Sequence, residues 1–223
     1  MNKIIYNKFI TNNKPLVQEL RETCAKNIIK NSDEIKGYPS IVYHGTKQEC
    51  AEQILANGFI IDRFRGTQPF GIGVYTAFDK ETAEEFGDKI LTLEVFPNSI
   101  LRIGNRLIYD FNGLMEDYTR KIKKVFLKNK DEYYSKDEWI KKVEECTNDT
   151  CEFLAKKKGI TVEEQATNMT LQKESSIIFA NLFDDEVTKK QGKKPILSST
   201  LGIYMDPIQQ LVIRNLDDIK NIK

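Results

Sequence analysis

An apolar stripe near the start of the chain predicts the first helix. Apolar side chains recur there at every fourth position: Leu16, Leu20, Cys24 and Ile28. That spacing keeps them on one face of a helix. Pro15 is tolerated because it falls in the first turn, where its missing N–H has no partner to lose. We therefore expect an N-terminal helix that packs through this stripe.

The pattern changes between residues 40 and 96, where short apolar alternations are separated by glycine and asparagine turns. Alternation predicts strands at 40–44, 59–61 and 90–96, and a further strand that begins in the glycine-containing stretch 70–75. A capping box of Thr46 and Glu49 predicts a helix after the first strand, and Asp79 is expected to cap another helix. Four short strands within about 60 residues indicate an α+β domain.

Long helical patterns dominate from about residue 105 to residue 173. Two capping boxes are predicted there: Ser135 with Glu138, and Thr161 with Glu164. Strand character returns at 201–205 and at 209–214, on either side of a tight turn at Asp206-Pro207. The sheet is therefore expected to be completed by the far end of the chain.

These elements divide the chain into three parts. The first is an N-terminal helical segment, 1–38. The second is a sheet core formed by 39–104 together with 196–223, and the third is a helical insertion at 105–195. We expect a sheet core with flanking helices and an inserted helical lobe.

Composition and charge exclude several classes of function. The 223 residues include 34 Lys and Arg against 33 Asp and Glu, so no overall field attracts a nucleic-acid backbone. The chain contains one histidine, which excludes two-His zinc fingers, HExxH zinc proteases and other metal sites built on two or more imidazoles. We expect no metal cofactor.

Cysteine usage and hydropathy bear on location. The four cysteines form no Cys-x-x-Cys pair, so we expect them to be small apolar side chains in a reducing compartment. The apolar stretch at the start is too short for a signal peptide, and no run approaches the roughly 18 apolar residues of a membrane span. We expect a soluble, cytoplasmic protein without a membrane partner, while export without a cleavable signal stays open.

The residues that suggest chemistry lie between positions 44 and 86. They are, in order, His44-Gly45-Thr46, Phe70-Gly71-Ile72-Gly73-Val74-Tyr75, and Ala83 with Phe86. The two glycines lack the third glycine of a dinucleotide fingerprint, because Thr76 occupies its place, and this argues against a Rossmann domain.

In this order and spacing, with Tyr75 placed 31 positions after His44, the motifs resemble the catalytic domain of poly(ADP-ribose) polymerase-like ADP-ribosyltransferases. The stretch 203–209, Ile-Tyr-Met-Asp-Pro-Ile-Gln, is similar to the final strand and turn of that family. The resemblance covers 39–96 and 198–214, about a third of the chain. It implies an ADP-ribosyltransferase-like split sheet, mixed or antiparallel, as the catalytic core.

The resemblance also implies that NAD is the co-substrate and assigns roles to the motifs. His44 would hydrogen-bond the adenosine ribose, and the backbone of Gly45 would bind the nicotinamide carboxamide through its N–H and C=O. Tyr75 and Phe86 would enclose the pyridinium ring, which gains cation–π attraction between two aromatic faces. Thr46 belongs to the same NAD-binding motif.

Further cofactor-binding positions follow from the same resemblance. Gly71 and Gly73 are carried over together with the tyrosine that follows them. The loop 62–68 stands where the family has its donor loop, and the guanidinium groups of Arg63 and Arg65 suit pyrophosphate. The alternative for this loop is an ordinary solvated connection.

Leu201 stands where polymer-forming members of the family have a catalytic glutamate, so the family triad reads His44, Tyr75 and Leu201 in this chain. Without that carboxylate, chain elongation is disfavoured. The resemblance then implies transfer of a single ADP-ribose to a macromolecular acceptor, a protein or a nucleic acid. The lysines of 189–194 are the one local hint of an anionic acceptor.

Other functions stay open. Loss of the glutamate is also consistent with a non-catalytic NAD-pocket or interaction module. An RNA 2′-phosphotransferase uses His-Gly-Thr as well, but it needs several arginines, and none precedes His44 in this domain. The Lys-, Asn- and Ile-rich composition is associated with AT-rich microbial and phage genomes, where such enzymes act as toxins, effectors or defence components. A toxin would imply an inhibitory partner.

Overall fold

The structure is a computed structural model that describes residues 1–36, 40–66, 68–104, 106–201 and 207–223, with side chains described at all of these positions except 40, 106, 199–201 and 207–209. The chain divides into two compact units. The sheet unit comprises 21–63, 70–113 and 181–223. The helical unit comprises 1–20, 64–69 and 114–180.

In the part of the chain that the structure describes, eight strands form one mixed sheet, which confirms the predicted α+β class. The strands are β1 (Asp33–Lys36), β2 (Ser40–Thr46), β3 (Val74–Ala77), β4 (Lys89–Val95), β5 (Ser99–Ile103), β6 (Ile196–Leu201), β7 (Pro207–Ile213) and β8 (Ile219–Ile222). Their order across the sheet is β1-β5-β6-β7-β3-β2-β4-β8. Neighbours are antiparallel except for β5 and β6, which are parallel.

The helices are α1 (Lys3–Asn12), α2 (Lys14–Thr23), α3 (Gln48–Asn57), α4 (Lys80–Glu84), α5 (Arg106–Tyr133), α6 (Lys136–Glu144), α7 (Asp149–Lys158) and α8 (Val162–Gln191). Helices α2, α5 and α8 each contribute residues to both units. In the ranges that the structure describes, none of the helices combines the length and the apolar character needed to cross a bilayer.

Alternation along the central strands builds the core of the sheet unit. Leu91, Leu93 and Val95 of β4 point to one face, and Leu211 and Ile213 of β7 pack in the same cluster. The side chains that alternate with these core residues along β3 and β7 lie on the opposite face of the sheet. That second face bears the candidate site described below.

Local helix signals are mostly confirmed. Helix α3 ends at Gly58, whose positive φ of 76° is readily adopted by glycine, and the Gly58 N–H donates to the carbonyl of Ile54. Asp79 caps α4 by accepting a hydrogen bond from the backbone N–H of Thr82. The capping boxes predicted at Ser135 and Thr161 begin α6 and α8.

Two predictions for the region after β2 are wrong. Thr46 is still part of β2, opposite Lys89, so its side chain forms no capping box with Glu49. Lys47 takes the N-cap position of α3 without a side-chain hydrogen bond. Residues 59–61 form no strand. At Thr46 the local capping pattern was outweighed by the pairing of β2 with β4, which extends to Thr46 opposite Lys89.

The N-terminal stripe is confirmed at Leu20, Cys24 and Ile28, which are fully buried, whereas Leu16 is half-buried. Burial raises the pKa of the Cys24 thiol to about 12, which fits an inert apolar role. The division into units runs differently from the sequence-based boundaries, because residues 1–20 group with the helices and residues 21–38 with the sheet. Strand β6 begins at Ile196, and most of the strand predicted at 201–205, with Asp206, lies outside the described residues.

The helical unit is organised around aromatic rings and a buried ion pair. The rings of Phe9 and Phe126 stack with centroids 5.5 Å apart. Glu174 is 1% exposed and accepts hydrogen bonds from Lys142, at 2.8 Å, and from the hydroxyl of Tyr134. Burial alone would raise the pKa of Glu174, but these hydrogen bonds outweigh it and hold the pKa below its usual value.

Candidate functional site

A cavity of about 170 Å³ opens in the sheet unit where β2 and β3 separate. In the described residues these strands pair at Tyr43 opposite Ala77, so the ladder stops before Gly45 and Tyr75 would face each other. The cavity is lined by residues of β2, β3 and β7, by one residue of α4 and by Phe86, which follows α4. The lining residues are Tyr43, His44, Gly45, Tyr75, Thr76, Ala77, Ala83, Phe86 and Gln210. Four of the predicted site residues therefore meet here: His44, Gly45, Tyr75 and Phe86.

His44 is held in one tautomer by the strand beside it. Its Nδ1 lies 2.8 Å from the carbonyl oxygen of Tyr75, and because a carbonyl only accepts, Nδ1 must donate the hydrogen. The ring also meets Phe59 edge-on, with centroids 5.1 Å apart. Burial lowers the pKa of His44, and the hydrogen bond to Tyr75 only partly opposes this. At neutral pH the ring is therefore uncharged, and Nε2 is a hydrogen-bond acceptor.

The hydroxyl of Tyr75 is committed to the loop that precedes β3. It accepts a hydrogen bond from the backbone N–H of Phe70 and donates one to the carbonyl of Gly71, both at 2.9 Å. Burial raises the pKa of this hydroxyl well above its usual value. A proton so tightly held does not serve acid or base chemistry near neutral pH. What Tyr75 offers to the cavity is its ring.

Two glycines allow α4 and the residues that follow it to pack closely against the end of β2. A Cβ on Gly45 would lie 1.8 Å from the carbonyl oxygen of Ala83, and a Cβ on Gly87 would lie 2.2 Å from that of Thr46. No side chain fits at either position. Gly45 is thus required by backbone packing, and this packing sets Ala83 and Phe86 at the cavity.

The aromatic groups around the cavity are accessible. Phe86 is 60% exposed, which is unusual for a large apolar side chain and leaves its ring open to a ligand. Tyr43 carries a cation on its ring, since Lys80 Nζ lies 5.6 Å from the ring centroid. Lys80 therefore places a positive charge beside the lining, and the sequence gave no indication of this position.

The size and lining of the cavity suit one flat ring with a polar edge. An apolar cavity of roughly 150 Å³ holds a single benzene ring. Besides the two tyrosine hydroxyls, the polar side chains of the described lining are His44, Thr76 and Gln210, and the hydroxyl of Thr76 already donates to the carbonyl of Leu211 at 2.8 Å. Among the described lining residues none is acidic.

Gln210 was missed from the sequence. It lies on β7 opposite Ala77 of β3 and Ser198 of β6. Alternation was the available signal, because Leu211 and Ile213 point into the core and leave Gln210 on the other face. Its amide offers both a donor and an acceptor to a ligand. In the described part of the chain, the fully buried hydroxyl of neighbouring Ser198 has no hydrogen-bond partner.

Arg63 lies in a different network of the sheet unit. Its guanidinium pairs with Asp185 at 2.5 Å and with Asp184 at 3.6 Å, and its Nε donates to Asn181. Arg214, 1% exposed, pairs with Asp184 at 2.8 Å. The guanidinium of Arg63 is therefore paired with carboxylates in this structure, and its role towards a pyrophosphate stays a prediction.

Gly71 and Gly73 are not among the residues that line the cavity. Gly71 has a φ of 97°, and its carbonyl accepts the hydroxyl proton of Tyr75. A Cβ on Gly73 would lie 2.5 Å from the carbonyl oxygen of Ile213 on the adjacent strand. Both glycines serve the backbone that holds Tyr75.

The remaining predicted site residues are dispersed. Thr46 ends β2 with its backbone against Gly87. Arg65 is exposed and belongs to the helical unit, where its carbonyl accepts a hydrogen bond from Gln68. Leu201 ends β6 opposite Pro207, and its side chain lies outside the described residues.

No protein family, no curated protein and no solved structure matches this chain.

Proposed function

We propose that the chain is a mono-ADP-ribosyltransferase, which binds NAD with its nicotinamide in this cavity and transfers one ADP-ribose to a macromolecular acceptor. The observation that carries the proposal is the convergence of His44, Gly45, Tyr75 and Phe86, which are up to 42 positions apart in the chain, on one cavity of about 170 Å³. The ADP-ribosyltransferase-like fold belongs to the same proposal. The mixed sheet with its helical unit supports it.

The lining gives each part of the nicotinamide riboside a partner. The pyridinium lies between the rings of Tyr75 and Phe86, where a cation gains attraction from aromatic faces. Its carboxamide meets the amide of Gln210 and the backbone at Gly45, which together offer donors and acceptors. The Nε2 acceptor of neutral His44 takes a hydrogen bond from a ribose hydroxyl.

The reaction needs positioning more than acid or base catalysis. The glycosidic bond between the ribose C1′ and the nicotinamide nitrogen breaks, and its electron pair leaves with nicotinamide, which becomes neutral. A nucleophile of the acceptor forms the new bond to C1′ and loses a proton to the acceptor's own neighbours or to solvent. Enclosing the ring and orienting C1′ lowers the barrier by avoiding reorganisation at the moment of reaction.

A second candidate rests on a specific observation. None of the described residues that line the cavity is a carboxylate. A pocket of this kind can hold NAD without supplying a base to an acceptor. The second candidate is therefore an NAD-binding module that performs no transfer.

The test is incubation of the purified protein with NAD labelled on the adenylate phosphate, in the presence of protein and nucleic acid from a cell lysate. We expect one labelled ADP-ribose unit per modified site, identified by mass spectrometry, and loss of labelling in Tyr75→Ala. Tyr109→Ala is the matched control, because Tyr109 is 59% exposed and does not line the cavity.

The outcomes separate the two candidates. Labelling that equals wild type in Tyr75→Ala would overturn the proposed site. Calorimetric binding of NAD that depends on Tyr75, without release of nicotinamide, would favour the binding module. Absence of both binding and labelling would overturn both functions.

A further inference from the structure

The helical unit contains a second cavity, an open cleft of about 500 Å³ with an excess of positive charge. Lys123 of α5, Lys158 of α7 and Lys173 of α8 line it. Within the described ranges, none of the residues lining this cleft is acidic, and none of these three lysines takes part in an ion pair. The arrangement differs from that of Arg63 and Arg214 in the sheet unit, which are paired with aspartates.

Two of the ammonium groups are held in place by neutral amides of α8. Lys158 Nζ donates to Gln165 Oε1 at 3.1 Å, and Lys123 Nζ donates to Asn168 Oδ1 at 3.3 Å. Gln165 and Asn168 are three positions apart, so they lie on the same face of α8. Gln165 is 2% exposed, which fixes its side chain. Amide oxygens orient the ammonium groups without cancelling their charge.

The positive charge of Lys158 acts on Lys123. Burial lowers the pKa of Lys123, and the positive charge of Lys158 lowers it further. Two like charges in such proximity repel each other in the absence of an anion. A bound anion that contacts both would remove this repulsion and gain attraction from each.

Part of the lining is apolar. Met169 of α8 lines the cleft and packs against a small apolar cluster that contains buried Cys146. Methionine is polarizable and packs favourably against flat rings. The cleft thus combines an apolar side chain with cationic ones, and its volume falls in the range of sites that take small organic ligands.

We propose that this cleft binds a nucleoside phosphate, with the phosphate between Lys123 and Lys158 and the base over Met169. Lysine is a common phosphate ligand because its ammonium is a compact point charge with three donors. Lys173 adds a third positive charge to the lining. The site is distinct in composition from the cavity of the sheet unit, which carries no lysine in its lining.

The test is a titration with ADP at constant ionic strength, followed by the side-chain amide signals of Gln165 and Asn168 in ¹H–¹⁵N spectra. These signals report on this cleft alone, and the titration uses the full chain carrying Tyr75→Ala, so that the cavity of the sheet unit does not contribute. We expect both signals to shift. The dissociation constant should rise about tenfold or more in the double variant Lys123→Gln, Lys158→Gln, because two charge-assisted contacts are lost.

The matched control is the double variant Lys124→Gln, Lys157→Gln, which removes the same charge from two neighbours that do not line the cleft. Its affinity should stay within about twofold of the parent, since charges that do not contact the ligand act on it only through salt-screened distance. Equal weakening in both double variants, or unchanged amide signals at millimolar ADP, would overturn the site.

Two further ligands test the assigned chemistry. Inorganic phosphate should bind more weakly than ADP, because it has no base to contact Met169; equal affinity would overturn the nucleoside part of the proposal. A short single-stranded oligonucleotide that bound more than tenfold tighter than ADP would show a nucleic-acid surface instead, and would overturn the assignment to a small molecule.

Discussion

Tyr75 connects three parts of the candidate site through its own atoms. Its hydroxyl is held by the backbone of Phe70 and Gly71, its carbonyl fixes the tautomer of His44, and its ring lines the cavity. The motif could be recognised from the sequence. The separate roles of the hydroxyl, the carbonyl and the ring could not, because they depend on which atoms of the loop and of β2 approach Tyr75. The hydroxyl therefore has a structural role, and the ring is left for a ligand.

This division predicts different outcomes for two substitutions of Tyr75. Tyr75→Phe keeps the ring and leaves the Phe70 N–H and the Gly71 carbonyl unpaired, so we expect a loss of about 1–3 kcal/mol in the free energy of unfolding with NAD affinity nearly retained. Tyr75→Ala should abolish NAD binding. Denaturant unfolding and calorimetry measure the two effects. Loss of affinity in Tyr75→Phe as complete as in Tyr75→Ala would assign the hydroxyl to the ligand instead.

His44 gives a direct pH prediction because it is the only histidine in the chain. Its imidazole signals in proton NMR are therefore unambiguous, and they should titrate below the ordinary value of 6.5, since burial lowers the pKa. Protonation removes the Nε2 acceptor, so NAD affinity should fall as the pH drops through that pKa and stay level above it. A pKa above 6.5, or an affinity that is constant through the transition, would contradict this assignment.

The same shift fixes the sign of a stability effect. Between the lowered pKa of the folded protein and 6.5, the unfolded chain binds more protons at His44 than the folded chain does. The contribution of His44 to stability is therefore present above 6.5 and is lost as the pH falls through the folded pKa. In His44→Gln this part of the pH dependence of the melting temperature should disappear.

Among the elements, α4 is the one whose position the site depends on most. Its cap at Asp79 and its end near Gly87 were readable from local sequence. Its place against β2 was not, because that depends on the absence of a Cβ at Gly45, whose neighbour in space, Ala83, lies 38 positions further along the chain. A glycine in a His-Gly-Thr motif suggests ligand contact, whereas the structure gives it a packing role as well.

Substitution of Gly45 therefore tests packing before it tests binding. Gly45→Ala places a Cβ 1.8 Å from a backbone oxygen that has no freedom to rotate away, and we expect a loss of about 3 kcal/mol in the free energy of unfolding. Gly113→Ala is the matched control, because nothing lies within 4 Å of its added Cβ and it sits inside α5. That control should gain about 0.5–1 kcal/mol. Similar effects of the two substitutions in urea unfolding would show that α4 is not fixed by Gly45.

Across the chain as a whole, elements and caps could be predicted far better than the partners of charged residues. Helix signals at Asp79, Ser135 and Thr161 succeeded because each uses atoms within three residues. Arg63 could not be placed, because its partners Asp184 and Asp185 lie more than 100 positions away and no local pattern links them. The cavity also depends on residues that are distant in sequence, because its lining combines β2 and β3 from the first half of the chain with β7 near the C-terminal end.

The buried pair of Asp184 and Arg214 carries the last prediction, because it connects α8 and the end of β7 to the loop that holds Tyr75. Asp184 Oδ1 accepts hydrogen bonds from Arg214 Nε at 2.9 Å and from the backbone N–H of Ile72 at 3.0 Å. Asp184→Ala leaves a guanidinium that is 1% exposed without its carboxylate, which should cost about 3–5 kcal/mol in the free energy of unfolding.

The neighbouring carboxylate, Asp185, is the matched comparison for Asp184. The side chain of Asp185 is 34% exposed and pairs with Arg63 and Arg21, which are themselves about two-fifths exposed. Solvent screens such pairs, so Asp185→Ala should cost about 1 kcal/mol or less. Because the Ile72 contact lies upstream of Tyr75, Asp184→Ala should also weaken NAD binding, and Asp185→Ala should not. Equal losses of stability in urea unfolding would mean that burial of Asp184 and Arg214 does not set the stability of the sheet unit. Unchanged NAD affinity in a folded Asp184→Ala protein would mean that the loop holds Tyr75 without this ion pair.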